Sequence, residues 1–322
     1  DTAITSSVAN PRPSGTTQYV CTGWAGTGSV TNGSGTNMSF TITNDSSITW
    51  LWGTNYHFAP AAGANGSVSG STDGWYSLGA VVTITATPSN GWHFLAWAGD
   101  TGGCVLAGNV ITAAMTQARS ITADFAINTY DITGAAGPGG SIAPSGTVWV
   151  SHGGTTNFAI SSNAHYHVTN VVVDSVSVGA TSGWTFVNVT NGGHTIAAYF
   201  GIDRHTLAVT SLYGSPTPSG VTTSDWNTLI AAAVGSAVAN GSTTQYLCAG
   251  RAGTGSVTNG AGTNTSFRLT TNSILTWLWK TQYLVTATAG ANGTVTPTNA
   301  TWLRTSRDIP CKSLPVSGLF CY

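Results

Sequence analysis

Alternating apolar and polar residues recur along most of the chain, and this pattern predicts β-strands. The stretch Val81–Pro88 alternates throughout and ends at a proline, as a half-buried strand does. Asn65-Gly66 and Asn90-Gly91 separate such stretches and are typical of hairpin turns, because glycine tolerates the positive φ required there. Tyr56–Ala59 is predicted as a short strand of its own. No apolar run approaches the ~20 residues of a membrane-spanning helix.

Composition supports the same fold class and excludes some partners. Of the 322 residues only 6% are charged, there is no Glu, and the net charge is −1. Without a basic field to attract phosphates, we expect no nucleic-acid partner. The 41 Gly, 12 Trp, 10 Tyr and 9 Phe favour strands joined by tight turns over long helices. This composition predicts a nearly uncharged, all-β protein of the kind found among secreted proteins.

A long internal repeat organises the sequence. Between Thr17 and Tyr56, 27 of the 40 positions are identical to those 227 residues further along, from Thr244 to Tyr283. A shorter period of about 75 residues lies within it, because similar strands begin at residues 55, 129, 206 and 282. Three such modules make up the long repeat.

The repeat predicts a linear, elongated tandem array of small, ~75-residue Ig-like β-sandwich modules. The predicted boundaries are a partial module 1–54 without its first strand, modules 55–127, 128–202 and 203–281, and a partial module 282–322 equivalent to 55–95. Module 203–281 is the full counterpart of 1–54. A truncated module exposes an unpaired strand edge. The chain is therefore expected to be a stretch of a longer repetitive polypeptide, or to have its edges completed by a neighbouring chain.

The best-formed module carries a family resemblance. It contains Gly66-x-Val68, then Trp75-Tyr76, then Gly91-Trp-x-Phe-x-x-Trp97, and finally Ile121-Thr-Ala-x-Phe125. This order resembles the divergent internalin-B-type B-repeats of bacterial surface and secreted proteins, and residues 129–200 look like a sister variety. The third module is looser, with Arg251 where the pattern has Trp. The resemblance implies an extracellular or cell-surface spacer, stalk or adhesive array, and it carries over no catalytic residues.

Catalytic and metal-binding motifs are absent from the sequence. Nucleophile elbows, CxxC pairs, HExxH and acidic calcium loops do not occur. Acid–base catalysis needs two adjacent carboxylates with different pKa values, and a chain with ten scattered Asp and no Glu offers few candidates for such a pair. The nearest metal-like feature, His165-x-His167, is interpreted as an exposed pair on one strand face. We expect no enzyme activity, cofactor or metal.

Four tryptophans form the main candidate site. They form two pairs, Trp50 with Trp52 and, in the second repeat, Trp277 with Trp279. The members of each pair are two residues apart and therefore share one face of a strand. A flat aromatic pair could stack on sugar rings. The favoured interpretation is packing in a core or an inter-module joint, because large aromatics supply most of the burial in a small module.

The five cysteines are assigned mainly to cores. In the repeat alignment Cys21, Cys248, Cys311 and Cys321 occupy positions where another module has a core hydrophobe. Cys104 lies in a loop and is the candidate for a cross-link. A disulfide between Cys311 and Cys321 stays open, since they fall on consecutive strands.

The sequence thus predicts a structural repeat region of a bacterial surface protein, forming a fibre, filament or stalk by self-association or by contact between neighbouring repeats. Two alternatives remain. The chain could be an adhesive region that binds glycans or cell wall, or a non-catalytic spacer of a large secreted hydrolase.

Overall fold

The computed structural model describes residues 2–295 and 300–304, so most of the predicted partial module 282–322, with Cys311 and Cys321, lies outside the described residues. The described residues form 28 strands and no helix. The first twelve strands are β1 (Thr2–Ser7), β2 (Arg12–Ser14), β3 (Thr17–Thr27), β4 (Asn37–Ile42), β5 (Ser47–Ala62), β6 (Gly66–Gly70), β7 (Gly74–Ser77), β8 (Val81–Pro88), β9 (Trp92–Gly99), β10 (Val105–Ala107), β11 (Val110–Ala114) and β12 (Arg119–Ile127).

The remaining strands continue without an intervening helix. They are β13 (Thr129–Ala136), β14 (Gly140–Ala143), β15 (Gly146–Ser151), β16 (Gly154–Ser162), β17 (Tyr166–Val173), β18 (Val176–Gly179), β19 (Gly183–Val189), β20 (His194–Ile202), β21 (Arg204–Ser211), β22 (Gly220–Asp225), β23 (Thr228–Ala233), β24 (Ala237–Asn240), β25 (Thr244–Thr254), β26 (Asn264–Leu269), β27 (Ser273–Val285) and β28 (Thr301–Arg304). The all-β fold class predicted from the sequence is confirmed.

The chain divides into two compact units. The first comprises Asp1–Gly134, Pro144–Phe158 and Gly183–Ile196, and the second comprises Ala135–Ala143, Ala159–Ser182 and Ala197–Tyr322. The division passes through residues 128–202, which supply a five-stranded sheet in the order β15-β13-β20-β17-β18 and a three-stranded sheet in the order β14-β16-β19. The predicted module boundaries therefore stay predictions.

Two sheets enclose the main core of the first unit. One has the order β2-β3-β5-β12-β9, with β7 also paired to β5, and the other has the order β10-β11-β8-β6. Phe58 and Ile121 from the first sheet pack with Ile84 and Ile111 from the second, and all four are buried. Strand β12 runs parallel to β5 and antiparallel to β9. The apolar alternation read from the sequence is thus the inward face of each sheet.

The second unit repeats this arrangement with fewer strands. Its larger sheet has the order β22-β21-β27-β25-β24, with β28 paired to β27, and its smaller sheet pairs β23 with β26. Strand β21 runs parallel to β27. Leu207 and Leu275 from the larger sheet pack with Ala232 and Leu269 from the smaller one.

One strand continues where the sequence predicts two. The sequence predicts a separate short strand at Tyr56–Ala59, but β5 runs unbroken from Ser47 to Ala62. The residues just before Tyr56 stay extended because β3 remains paired to them, with Gly53 opposite Val20 and Thr54 opposite Tyr19. The segments 1–54 and 55–127 therefore share a strand.

Candidate functional site

The tryptophans of the second repeat lie in or against a core. Trp277 on β27 is 2% exposed and packs with Leu207 and Leu269. Trp279 is half-buried against the same core, and its Nε1 donates a hydrogen bond to Oγ of Ser211 at 2.9 Å. Both side chains contribute to packing, which is the interpretation favoured from the sequence.

The tryptophans of the first repeat are more exposed. Trp50 on β5 is half-buried and meets Trp24 edge to face, with ring centroids 5.4 Å apart and an interplanar angle of 65°. Trp52 is 37% exposed. The same residue pattern therefore has two environments, and the sugar-binding role of these side chains stays a prediction.

Cys104 lies in the loop between β9 and β10, where a buried arginine organises the backbone. Nη1 of Arg119 donates to the carbonyls of Asp100 and Gly102, at 2.9 and 2.8 Å, and lies 3.2 Å from Sγ of Cys104. Asp100 in turn accepts the backbone N–H of Ser120 at 2.8 Å. Cys104 is half-buried and, like Cys21 and Cys248, is a free thiol. A cross-link through Cys104 stays a prediction.

A polar residue connects the predicted modules 55–127 and 128–202 within the first unit. The N–H of Asn128 donates to the carbonyl of Gly91 at 2.9 Å, and the carbonyl of Asn128 accepts the N–H of His152 at 2.8 Å. Oδ1 of Asn128 lies 2.8 Å from Nδ1 of His93. We call Gly91, His93, Asn128 and His152 the first joint.

The same arrangement recurs within the second unit, between the predicted modules 128–202 and 203–281. The N–H of Asp203 donates to the carbonyl of His165 at 2.8 Å, and its carbonyl accepts the N–H of Trp226 at 2.7 Å. Oδ1 of Asp203 lies 2.9 Å from Nδ1 of His167. We call His165, His167, Asp203 and Trp226 the second joint.

An aromatic ring covers the turn at each joint. His165 stacks on Trp226, and the imidazole of His152 lies so close over Gly91 that a side chain at residue 91 would collide with it. Gly91 and His165 both have a positive φ, of 79° and 66°. That conformation suits glycine and is uncommon for other residues, so both turns are specialised.

The joints were missed from the sequence, where His165-x-His167 was interpreted only as an exposed pair. A signal was nevertheless present. Asn128 and Asp203 each lie three residues after the aromatic that closes a module, Phe125 or Phe200, and they are 75 residues apart (203 − 128). The spacing of the joint therefore equals the period of the modules.

Within residues 2–295 and 300–304, no group of three or more His, Cys, Asp or Glu side chains is arranged to hold a metal ion. The resolved pKa shift belongs to Tyr213, whose pKa is raised by a side-chain hydrogen bond with Tyr246 and by burial. The same described residues contain no helix long and apolar enough to cross a membrane.

One comparison with known proteins supports the family resemblance of the first full module. No curated protein and no solved structure matches the chain significantly. The family model of the divergent InlB B-repeat domain matches residues 56–129, which confirms the resemblance inferred from the motifs of residues 55–127.

Proposed function

We propose that this chain is a structural repeat region of a bacterial extracellular or cell-surface protein, in which Ig-like modules follow one another in a line and form a fibre, filament or stalk. The observation that carries the proposal is the recurrence of one joint, with the same three polar contacts around Asn128 and around Asp203. A joint repeated at the module period is what a regular array requires.

Physical arguments support a cohesive array. A module of about 75 residues buries only about 60% of its unfolded surface and is marginal alone, so stability has to come partly from its neighbours. The shared strand β5 and the two joints supply such neighbour contacts. With 6% charged residues, neighbouring chains can also pack laterally with little repulsion. We therefore propose neighbouring repeats of the same chain, or other copies, as the partners.

The family match supports the location. Its B-repeat model covers residues 56–129, and such repeats belong to bacterial surface proteins. We propose no catalytic role, cofactor or nucleic-acid partner for the chain. A spacer within a larger secreted hydrolase would use the same mechanical properties.

Negative-stain electron microscopy of the purified chain tests the structural proposal. We expect narrow rods of uniform width. Particles that are round in all views would overturn it.

Adhesion is the second candidate, and exposed aromatic side chains favour it. Trp149 on β15 is 65% exposed and Trp52 is partly exposed, so both could stack on sugar rings. The test is a glycan array or a cell-wall pull-down with W149A and W52A. L95A is the matched control, because Leu95 is also an exposed apolar strand residue. Loss of binding in W149A or W52A, with L95A unchanged and all variants folded, supports adhesion; equal binding by all variants contradicts it.

A further inference from the structure

Two tyrosine rings of the second unit lie face to face. The ring of Tyr213 stacks on that of Tyr246, with centroids 3.6 Å apart and planes 6° apart. Tyr213 belongs to the loop between β21 and β22, and Tyr246 lies on β25, 33 residues later (246 − 213). Aromatic pairs ordinarily have centroids about 4.5–7 Å apart. The carbon atoms of these two rings are therefore in direct van der Waals contact.

The hydroxyl groups of the two tyrosines lie at the same end of the stack. A side-chain hydrogen bond with Tyr246 is the main cause that raises the pKa of Tyr213, so the two hydroxyls are neighbours. Nδ2 of Asn240 on β24 also donates to Oη of Tyr246, at 2.9 Å. When stacked phenols have adjacent hydroxyls, the Cε carbons next to each hydroxyl-bearing carbon face each other across the stack. These are the carbons that join when two tyrosines couple oxidatively.

Neighbouring groups hold Tyr213 in this position. Oγ of Ser211 donates to the carbonyl of Tyr213 at 2.6 Å and accepts a hydrogen bond from Nε1 of Trp279 at 2.9 Å. The ring of Trp279 meets that of Tyr213 edge to face, with centroids 6.0 Å apart. A Cβ on the next residue, Gly214, would lie only 3.1 Å from the Trp279 ring, so the loop backbone is packed closely there. The stack is thus fixed by the loop and by β27, as well as by the two tyrosine rings.

Water reaches part of the stacked pair. Tyr213 and Tyr246 are both half-buried, so each keeps some of its surface in solvent. An oxidant outside the protein can therefore take electrons from the pair, while the surrounding contacts keep the two rings together. A cross-link here needs no second chain, because both rings belong to one unit.

We propose that Tyr213 and Tyr246 form a modification site, at which hydrogen peroxide acting through a haem peroxidase couples the two rings into a dityrosine. Each phenol gives up one electron and one proton and becomes a tyrosyl radical. The two unpaired electrons then form a bond between the facing Cε atoms, and the hydrogen on each of these carbons moves to Oη. Hydrogen peroxide takes up the two electrons and two protons, its O–O bond breaks, and two water molecules form. The inference rests on the geometry of this pair and is independent of the proposed function.

Peroxidase treatment of the full chain provides the test, at a dilution at which chains rarely meet. We expect dityrosine fluorescence from a product that stays monomeric on a denaturing gel and has lost two hydrogen atoms from its intact mass. After digestion, mass spectrometry should find one peptide joined through residues 213 and 246. The cross-link closes the chain between these residues and restricts the unfolded state, so the urea midpoint of unfolding should rise.

Three variants locate the reaction. Y213F and Y246F each keep an aromatic ring but lack one phenol, so both should lose the monomeric dityrosine product. Y19F is the matched control, because Tyr19 is the repeat counterpart of Tyr246 and is 43% exposed, and it should react like the unmodified chain. Circular dichroism checks that all three variants keep their strands.

Two results would overturn the inference. One is an unmodified chain without the joined peptide under conditions that oxidise the exposed Tyr19 and Tyr199. The other is equal dityrosine fluorescence from the monomeric products of Y213F and of the unmodified chain, which would place the cross-link elsewhere.

Discussion

The imidazole of His165 lies flat against the indole of Trp226, with ring centroids 3.7 Å apart and an interplanar angle of 7°. The two residues belong to consecutive predicted modules, 128–202 and 203–281. Between them, Asp203 bonds through its backbone to both. The stack is therefore an aromatic contact across a module boundary, closed by hydrogen bonds on the same residues.

The stack should stabilise the second joint measurably. In a double-mutant cycle with H165A and W226A, we expect a coupling energy of about 0.5–1.5 kcal/mol, the value for an aromatic pair beyond its area of burial. Urea unfolding followed by far-ultraviolet circular dichroism gives the four free energies of unfolding. A coupling energy indistinguishable from zero would mean that the rings only lie near each other.

At each joint, the backbone N–H of Asn128 or Asp203 should contribute more to the free energy of unfolding than the side chain of the same residue. D203P removes the donor to the carbonyl of His165, and we expect it to lower the free energy of unfolding by about 1 kcal/mol or more, because that hydrogen bond is lost and the proline ring restricts the backbone. D203N should cost less than about 1 kcal/mol, since an amide oxygen can replace the carboxylate beside the exposed His167. The first joint already has this arrangement, with Asn128.

The matched pair N128P and N128D repeats the comparison at the first joint. Susceptibility to a broad-specificity protease and the free energy of unfolding are the measurements. If the proline variants are as stable and as protease-resistant as the Asn and Asp variants, the joints do not hold the modules.

Replacing the equivalent tryptophans Trp277 and Trp50 by alanine should lower the free energy of unfolding by different amounts. W277A should lower the free energy of unfolding by about 3–5 kcal/mol because it leaves a cavity in the core. W50A should cost at least about 1 kcal/mol less, since Trp50 is only half-buried. W277F should be milder than W277A, because Nε1 of Trp277 is buried without a hydrogen-bond partner and phenylalanine removes that donor. Equal losses for W277A and W50A would contradict the assigned environments.

The stacked tyrosines predict a dependence of stability on pH. The pKa of Tyr213 is raised above its ordinary value of 10.0, chiefly by the hydrogen bond with Tyr246. Because the pKa of Tyr213 is higher in the folded state than in the unfolded state, the protonated phenol adds to the free energy of unfolding. This stabilisation is complete below pH 10 and is lost as the pH rises through the folded-state pKa. Absorbance titration of the phenols should show that Y246F returns the pKa of Tyr213 toward 10. An unchanged titration in Y246F would assign the shift to another cause.

Features that depend on local periodicity could be predicted from the sequence. The alternation at Val81–Pro88 became β8 with the same bounds, and Cys21 is buried as its alignment with a core residue implied. Trp277 entered the core for the same reason. In a strand, every second side chain lies on the same face, so an alternating apolar pattern indicates which residues are buried without knowledge of the tertiary structure.

Features that depend on backbone groups from distant segments could not be predicted. Each joint combines a turn carbonyl, a polar side chain some 35 residues later and a second turn, and none of these leaves a hydrophobic signature. The continuation of β5 into Tyr56–Ala59 could not be predicted for a related reason, because pairing with β3, a separate segment of the chain, holds the intervening residues extended.

Small-angle X-ray scattering of the full chain tests the central claim most directly. Modules of about 75 residues have a radius of gyration of about 11 Å, and four of them in a line with centres about 27 Å apart give about 32 Å for the chain. The account predicts a measured radius of gyration near that value, whereas a result near the roughly 20 Å of a compact protein of this length would contradict it.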